Sequence, residues 1–163
     1  MATATTTSAE TLAEWVGDLV RIPSVNPLQA GPKSGDGGEK ALAEWIANRA
    51  EGLGASDVVL DEVEPGRPNV YARFAGTGDR VITVDTHLDT VGVEHMTDDP
   101  FDGRIEDGCV WGRGAVDTKA SFAIVLSVLE ELRAEGKQPV PTVNVVGTVA
   151  RSEEHTSELQ SPC

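Results

Sequence analysis

The sequence predicts an α/β protein with a layered, mostly parallel sheet flanked by helices. Apolar residues recur with helical spacing before Pro23 and again over residues 39–53. Short apolar runs bounded by turn residues follow, and a helical pattern returns over residues 118–134. Because helical and strand patterns alternate along the chain, helices are expected to pack on a sheet with parallel pairing.

Three helices are expected. The first carries apolar residues at spacings of three and four, namely Leu12, Trp15, Val16, Leu19 and Val20. Thr7 and Glu10 fit a capping box at its start. The second runs over 39–53, where Gly54 suits the C-terminal cap. The third is apolar nearly all round at first, so we expect it to be buried.

Strand signals have the β-branched composition and turn boundaries typical of strands. They lie in the segments DVVLDEV, NVYARFAG, RVITVDT, CVWGRG and TVNVVGTVA. The stretch over residues 91–108 has no clear period, and we predict an irregular connection there.

Composition limits the function classes. The 163 residues suit one domain, and the net charge of −14 argues against a nucleic-acid partner. It fits a soluble enzyme, a cation-binding protein or simply an acidic surface. No signal-peptide pattern or membrane-length apolar run is seen, so no membrane partner is expected. Cys109 and Cys163 match no disulfide framework or cysteine zinc site, and a cytoplasmic location is expected.

The run VITVDTHLDT ends an apolar strand with a cluster of polar residues. His87 and Asp89 share a face if the extended geometry persists. An imidazole with a carboxylate two residues on suits a metal ligand and the group that orients it. Taken alone, the spacing favours a surface histidine among capping carboxylates.

Asp117 lies just before the third predicted helix, in the run WGRGAVDTKAS. Its carboxylate suits either a metal ligand or a helix N-cap. Two phosphate-binding motifs are excluded in this run. A P-loop requires Gly-Lys-Ser/Thr, which is absent, and Asp117 stands where a dinucleotide fingerprint has its third glycine.

Together, DTHLDTV and DDPFDGRIEDGCVWGRGAVDTKAS resemble the M20 metallopeptidase family, and LVRIPSVNP is similar to its N-terminal segment. The resemblance covers roughly residues 10–150. It implies the N-terminal part of a zinc-exopeptidase-like catalytic domain, truncated here. The implied activity is metal-dependent cleavage of an amide bond in an N-acyl amino acid or small peptide. The alternative is a non-catalytic metal- or ligand-binding α/β module.

The resemblance also implies roles for individual residues. His87 is a ligand of one metal, Asp117 bridges two, and Asp89 is the catalytic-site carboxylate that orients His87. The metals are a pair of zinc ions, with cobalt as a substitute, and no other cofactor is implied. The peptide bond after Asp117 is expected to be cis. Family members also carry a smaller domain used for dimerisation, so the parent protein is expected to be a homodimer.

The remaining ligands and the general base lie beyond residue 150 in the family. We therefore divide the chain into residues 1–150, the catalytic-domain part, and residues 151–163, a non-native tail. The tail is similar to the translation of a sequencing adapter. Its Glu153 and Glu154 are an alternative general base and ligand, but we expect at least one to face solvent. The 163-residue chain is expected to be inactive.

Other polar residues near these motifs are given smaller roles. His95 is expected to be exposed. Arg113 is a candidate contact for a substrate carboxylate, or a chance exposed arginine. Lys119 stands in the first turn of a predicted helix, where the dipole disfavours a cation, and no role is assigned to it.

Overall fold

The computed structural model describes residues 7–149. Three α-helices span Ala9–Val20 (α1), Gly38–Gly52 (α2) and Ala120–Ala134 (α3). Six strands span Asp57–Glu64 (β1), Arg67–Phe74 (β2), Val81–His87 (β3), Ile105–Glu106 (β4), Cys109–Val110 (β5) and Thr142–Thr148 (β6). A 3₁₀ turn, Pro27–Gln29, follows α1, and an irregular helical turn, Ala115–Lys119, precedes α3.

The main sheet has the strand order β1-β2-β6-β3. Strand β3 pairs with β6 in parallel, whereas β1 with β2 and β2 with β6 are antiparallel. The α/β class and the helix-on-sheet layering are confirmed, with strand directions mixed over the described residues. The parallel pair forms because the chain crosses over through α3 between β3 and β6, so both strands end at the same edge.

Helix α1 begins one residue later than the predicted capping box requires. Ser8 is the N-cap, and its hydroxyl accepts a hydrogen bond from the backbone N–H of Thr11 at 3.2 Å. Ser8 has the extended backbone of a cap (φ −70°, ψ 157°), which places Thr7 outside the helix. The predicted Thr7 cap is therefore wrong by one position.

One hydrophobic core joins the three helices to one face of the sheet. Alternate residues of β2 point into it, and α2 packs directly on β1 and β2. The largest buried apolar side chains are Leu19, Leu42, Ile46, Leu88, Phe122 and Leu126. On the opposite face, Tyr71, Thr83 and Asn144 line a shallow open hollow. The described helices thus cover one face of the sheet.

The predicted irregular stretch contains the hairpin β4–β5. Its turn residues, Asp107 and Gly108, have φ values of 52° and 78°. A two-residue hairpin turn of this kind needs positive φ at both positions, which explains the Asp-Gly pair. The Asp-Gly pair was the available sequence signal for this hairpin, but the two-residue strands are too short to show alternation.

No helix over residues 7–149 has the length and apolar character needed to cross a bilayer.

Candidate metal centre

His87 is the last residue of β3 and lies at the carboxyl edge of the parallel pair. It stands opposite Thr148 in the register, and the backbone N–H of Leu88 donates to the Thr148 carbonyl at 2.7 Å. These contacts fix the end of the strand just before the chain turns. The His87 side chain is 18% exposed, so its ring is held by the fold yet open to solvent.

Asp89 lies behind the His87 ring and is fully buried. The ring Nδ1 donates to the Asp89 backbone carbonyl at 2.8 Å, and the Asp89 Oδ1 is 3.4 Å from the same nitrogen. The other carboxylate oxygen, Oδ2, accepts a hydrogen bond from the Asn26 side-chain amide at 2.9 Å. The structure therefore brings His87 and Asp89 together in the expected arrangement, with Nδ1 directed inward.

Asp117 approaches His87 from the turn before α3. Its Oδ1 is 3.0 Å from the His87 Nε2, and its side chain is 83% exposed. The N-cap position of α3 is Lys119, with no side-chain capping bond, so Asp117 does not cap this helix. The outward nitrogen of His87 and a solvent-facing carboxylate thus converge on one point.

The backbone around Asp117 departs from helical geometry. Asp117 has φ −111° and ψ 92°, and the Asp117–Thr118 peptide bond is cis, as the resemblance implies. The Thr118 hydroxyl hydrogen-bonds to the Thr86 hydroxyl and also lies 3.5 Å from the His87 carbonyl. These contacts tie the turn to the end of β3 and set the position of the Asp117 carboxylate.

The two carboxylates raise the pKa of His87 to about 9. The Asp89 carboxylate is the largest cause, burial opposes it, and the hydrogen bond to the Asp89 carbonyl and the charge of Asp117 add to the rise. A ring between two carboxylates is therefore protonated at neutral pH when no metal is bound. A metal ligand must be neutral, so metal binding here has to release a proton.

The sequence of this segment matches a known protein family. Residues 83–158 match Peptidase family M20/M25/M40, and the matched range includes most of β3 and the turn bearing Asp117. The chain belongs to the M20 family. The matched range also includes Glu153 and Glu154, which lie outside the residues that the structure describes, so their predicted orientation stays a prediction.

Several curated relatives resemble most of this M20 chain. A succinyl-diaminopimelate desuccinylase from Methylocella silvestris is 37% identical over 132 residues, which is 78% of this chain and 32% of that protein. One from Xanthomonas euvesicatoria pv. vesicatoria is 37% identical, over 72% of this chain and 28% of its own length. The chain spans about a third of the length of the curated relatives it matches.

Solved structures with this fold include another M20 protein and a dipeptidase. The M20 family metallo-carboxypeptidase Sso-CP2 from Sulfolobus solfataricus has a TM-score of 0.71 at 20% identity, covering 84% of this chain and 30% of that one. Human carnosine dipeptidase 1 has a TM-score of 0.71 at 17% identity, covering 86% and 32%. At these identities the similarity shows the fold alone, and it supports the α/β catalytic-domain architecture.

Two cations beside the M20 motif are removed from solvent, Lys119 fully and Arg113 in part. Lys119 is 1% exposed, and its ammonium donates to the backbone carbonyl of Ile22 at 2.6 Å. Burial lowers the pKa of Lys119 to about 7. Arg113 is half-buried and donates to the Gly92 carbonyl at 3.4 Å, and burial lowers its pKa. His95 is exposed, as predicted.

Within residues 7–149 no group of three or more histidine, cysteine or acidic side chains is placed to hold a metal. The described part of the centre therefore offers the pair His87 and Asp117. Sequence reasoning missed Asn26, the amide donor to Asp89. An asparagine before Pro27 reads as a turn residue, and no local pattern connects it to a strand end 63 positions away.

Proposed function

We propose that this segment contributes to a metal-dependent hydrolase that cleaves an amide bond in an N-acyl amino acid or small peptide. The observation that carries the proposal is the approach of the His87 Nε2 and the Asp117 Oδ1 to 3.0 Å, with buried Asp89 behind the ring. The chain spans about a third of its relatives' length. The activity is therefore proposed for a protein of their full length that contains this segment.

The donor set fits a divalent metal. Zinc binds imidazole nitrogen and carboxylate oxygen at about 2.0–2.2 Å, which at a tetrahedral angle separates the two donors by roughly 3.3 Å. The distance of 3.0 Å between His87 and Asp117 needs only a small widening. We propose zinc, with cobalt as a substitute, as the metal, and Asp117 as a bridge to a second ion.

A bound metal would polarise the scissile carbonyl and lower the pKa of a water ligand. The chain's own residues prepare that site. Asp89 accepts a hydrogen bond from the His87 Nδ1–H and so keeps that proton on Nδ1. Once the proton on Nε2 has left, the ring presents the Nε2 lone pair outward. Asp117, on a separate element, supplies a negative charge that favours a cation. The general base and further ligands are not found among the described residues.

The relatives support the proposed substrate class. Several proteins with 35–37% identity are succinyl-diaminopimelate desuccinylases, which supports an N-acylated amino acid ahead of an unmodified peptide. The acyl group stays open, and N-succinyl amino acids are the first substrates to test. A homodimer and a cytoplasmic location remain predictions for the longer protein.

Cobalt titration of the 163-residue chain tests the metal pair. We expect a visible absorption band on Co²⁺ binding that is lost in His87→Gln and Asp117→Asn. His95→Gln is the matched control because His95 is exposed. Equal Co²⁺ affinity in the wild-type chain and in both site variants would remove the metal assignment.

A chimera tests the reaction. Residues 1–149 of this chain replace the matching third of the Methylocella silvestris relative, with that relative as the positive control. Release of succinate that needs metal and is abolished by His87→Ala supports the hydrolase. A folded chimera that binds metal but leaves N-succinyl amino acids and dipeptides intact favours the non-catalytic module.

The same titration tests the predicted tail. If residues 151–163 are non-native, a chain ending at residue 150 should bind Co²⁺ as tightly as the full chain. A clear loss of affinity on truncation would identify a metal donor within residues 151–163 and contradict the tail prediction.

A further inference from the structure

Asn26 is a fully buried polar residue that touches the candidate centre from behind. Its side-chain Nδ2 donates to the Asp89 Oδ2 at 2.9 Å, and its Oδ1 accepts from the backbone N–H of Leu28 at 3.0 Å. The second contact decides which side of the amide faces the carboxylate. Because a backbone N–H can only donate, the amide oxygen must face Leu28 and the NH₂ group must face Asp89.

The backbone of Asn26 is also held against the strand end. Val25 forms a parallel bridge with Thr90, and the Asn26 N–H donates to the Thr90 carbonyl at 2.8 Å. The Thr90 N–H in turn donates to the Ser24 carbonyl at 2.8 Å. The segment after α1 is thus held next to Asp89, which places the Asn26 amide within hydrogen-bonding distance of the carboxylate.

A buried carboxylate needs hydrogen-bond donors, and their geometry decides where its oxygens point. Asn26 occupies one oxygen of Asp89, and the other lies beside the His87 Nδ1 at 3.4 Å. A chain of contacts therefore runs from the Leu28 N–H through Asn26 and Asp89 to the His87 ring. It ends at the Nε2, which faces Asp117.

We infer that Asn26 is a positioning residue for the metal centre. Its amide fixes the Asp89 carboxylate so that the His87 Nδ1–H stays directed inward and the Nε2 is left for the metal. The inference rests on the proposed function, since it assigns the metal-binding atom of His87. Asn26 itself touches neither the metal position nor the substrate.

A metal-free NMR experiment tests the positioning step. In chain labelled with ¹⁵N at histidine, the Nδ1 proton of His87 is expected as a downfield, slowly exchanging signal, assigned by its loss in His87→Gln. Asn26→Leu should speed its exchange at least tenfold or abolish it. Asn144→Leu is the control, because Asn144 belongs to the open sheet face. Absence of the signal in wild type, or its unchanged exchange in Asn26→Leu, would overturn the inference.

A second variant guards against misfolding. Asn26→Ser retains an oxygen that can accept from the Leu28 N–H, but its hydroxyl is one atom too short to reach the Asp89 Oδ2. It should remain folded by circular dichroism and still lose the slow His87 signal. A folded Asn26→Ser chain with a wild-type His87 signal would contradict the inference even if Asn26→Leu does not fold.

Cobalt binding separates this inference from the proposed function. Loss of a group that orients a metal ligand typically weakens binding 10–100-fold, and we expect that range for Asn26→Ser but no change for Asn144→Leu. Unchanged Co²⁺ affinity in Asn26→Ser would overturn the metal role of Asn26. If wild type binds no Co²⁺ while the NMR result holds, the metal assignment fails and the ring-positioning role stands.

Discussion

The stability of the metal-free chain is expected to change little between about pH 7 and pH 9, because two groups titrate there with opposite effects. The pKa of His87 is raised from 6.5 to about 9, chiefly by the Asp89 carboxylate beside its Nδ1. The pKa of Lys119 is lowered from 10.5 to about 7 by burial. Removing either group should expose the pH dependence of the other.

His87 stabilises the fold only while it is protonated. Because its folded pKa lies above the unfolded value, this stabilisation is complete below about pH 6.5 and is lost as the pH rises through about 9. The full shift corresponds to about 3 kcal/mol at most. The side chain is only 18% exposed, so solvent screening removes a modest part.

Lys119 acts in the reverse direction. Its folded pKa lies below the unfolded value, so the folded chain must either keep a buried ammonium or release a proton. The resulting cost is complete below about pH 7 and falls as the pH rises toward 10.5. Each group changes stability by roughly 1 kcal/mol per pH unit between pH 7 and 9, with opposite signs.

The assay is urea unfolding followed by circular dichroism, with a chelator present, at several pH values from 6 to about 10. His87→Gln should become more stable as the pH rises, and Lys119→Met less stable. The double variant should again be nearly flat. Differences between variants cancel the titration of groups that all of them share.

One result would refute this reasoning. If His87→Gln and Lys119→Met both keep the flat wild-type profile, neither group has the shifted pKa that its surroundings imply. The Asp89 contact would then not favour the charged ring. If only one variant shows a slope, the group that is still present in the flat variant lacks the expected pKa shift.

Three further outcomes are expected. The 163-residue chain should release no amine from N-succinyl amino acids with Zn²⁺ or Co²⁺, and turnover that is abolished by His87→Ala would contradict this. Arg67→Met should lower the free energy of unfolding by about 3–5 kcal/mol in urea unfolding, because the buried Glu39 carboxylate, 2.6 Å from Arg67, then loses this cation. Adding Glu39→Leu to Arg67→Met should restore much of that stability. Leu126→Ala should cost about 2–5 kcal/mol as a fully buried core truncation, whereas Ile124→Ala, 51% exposed on the same helix, should cost clearly less by the same measurement.

The predictable parts of the fold are those with local periodicity. The sequence predicts helix α2 over residues 39–53, because apolar spacing marks its buried face and Gly54 marks its end. The helix spans Gly38–Gly52. Strand directions are less predictable. A strand's own residues report burial and alternation, whereas its partner depends on where the connections travel, so the antiparallel pairing of β2 with β6 had no local signal.

The same limit applies within the candidate centre. His87 and Asp89 are two positions apart, so their relation is local, and the motifs around them indicated the partner Asp117. Asn26 reaches Asp89 only because the segment after α1 lies beside the chain after β3. Its amide must be buried with its hydrogen bonds satisfied, and that requirement appears only when the two segments pack together. The residues that orient a ligand are therefore harder to find from sequence than the ligand itself, since their positions depend on tertiary packing rather than on spacing within one element.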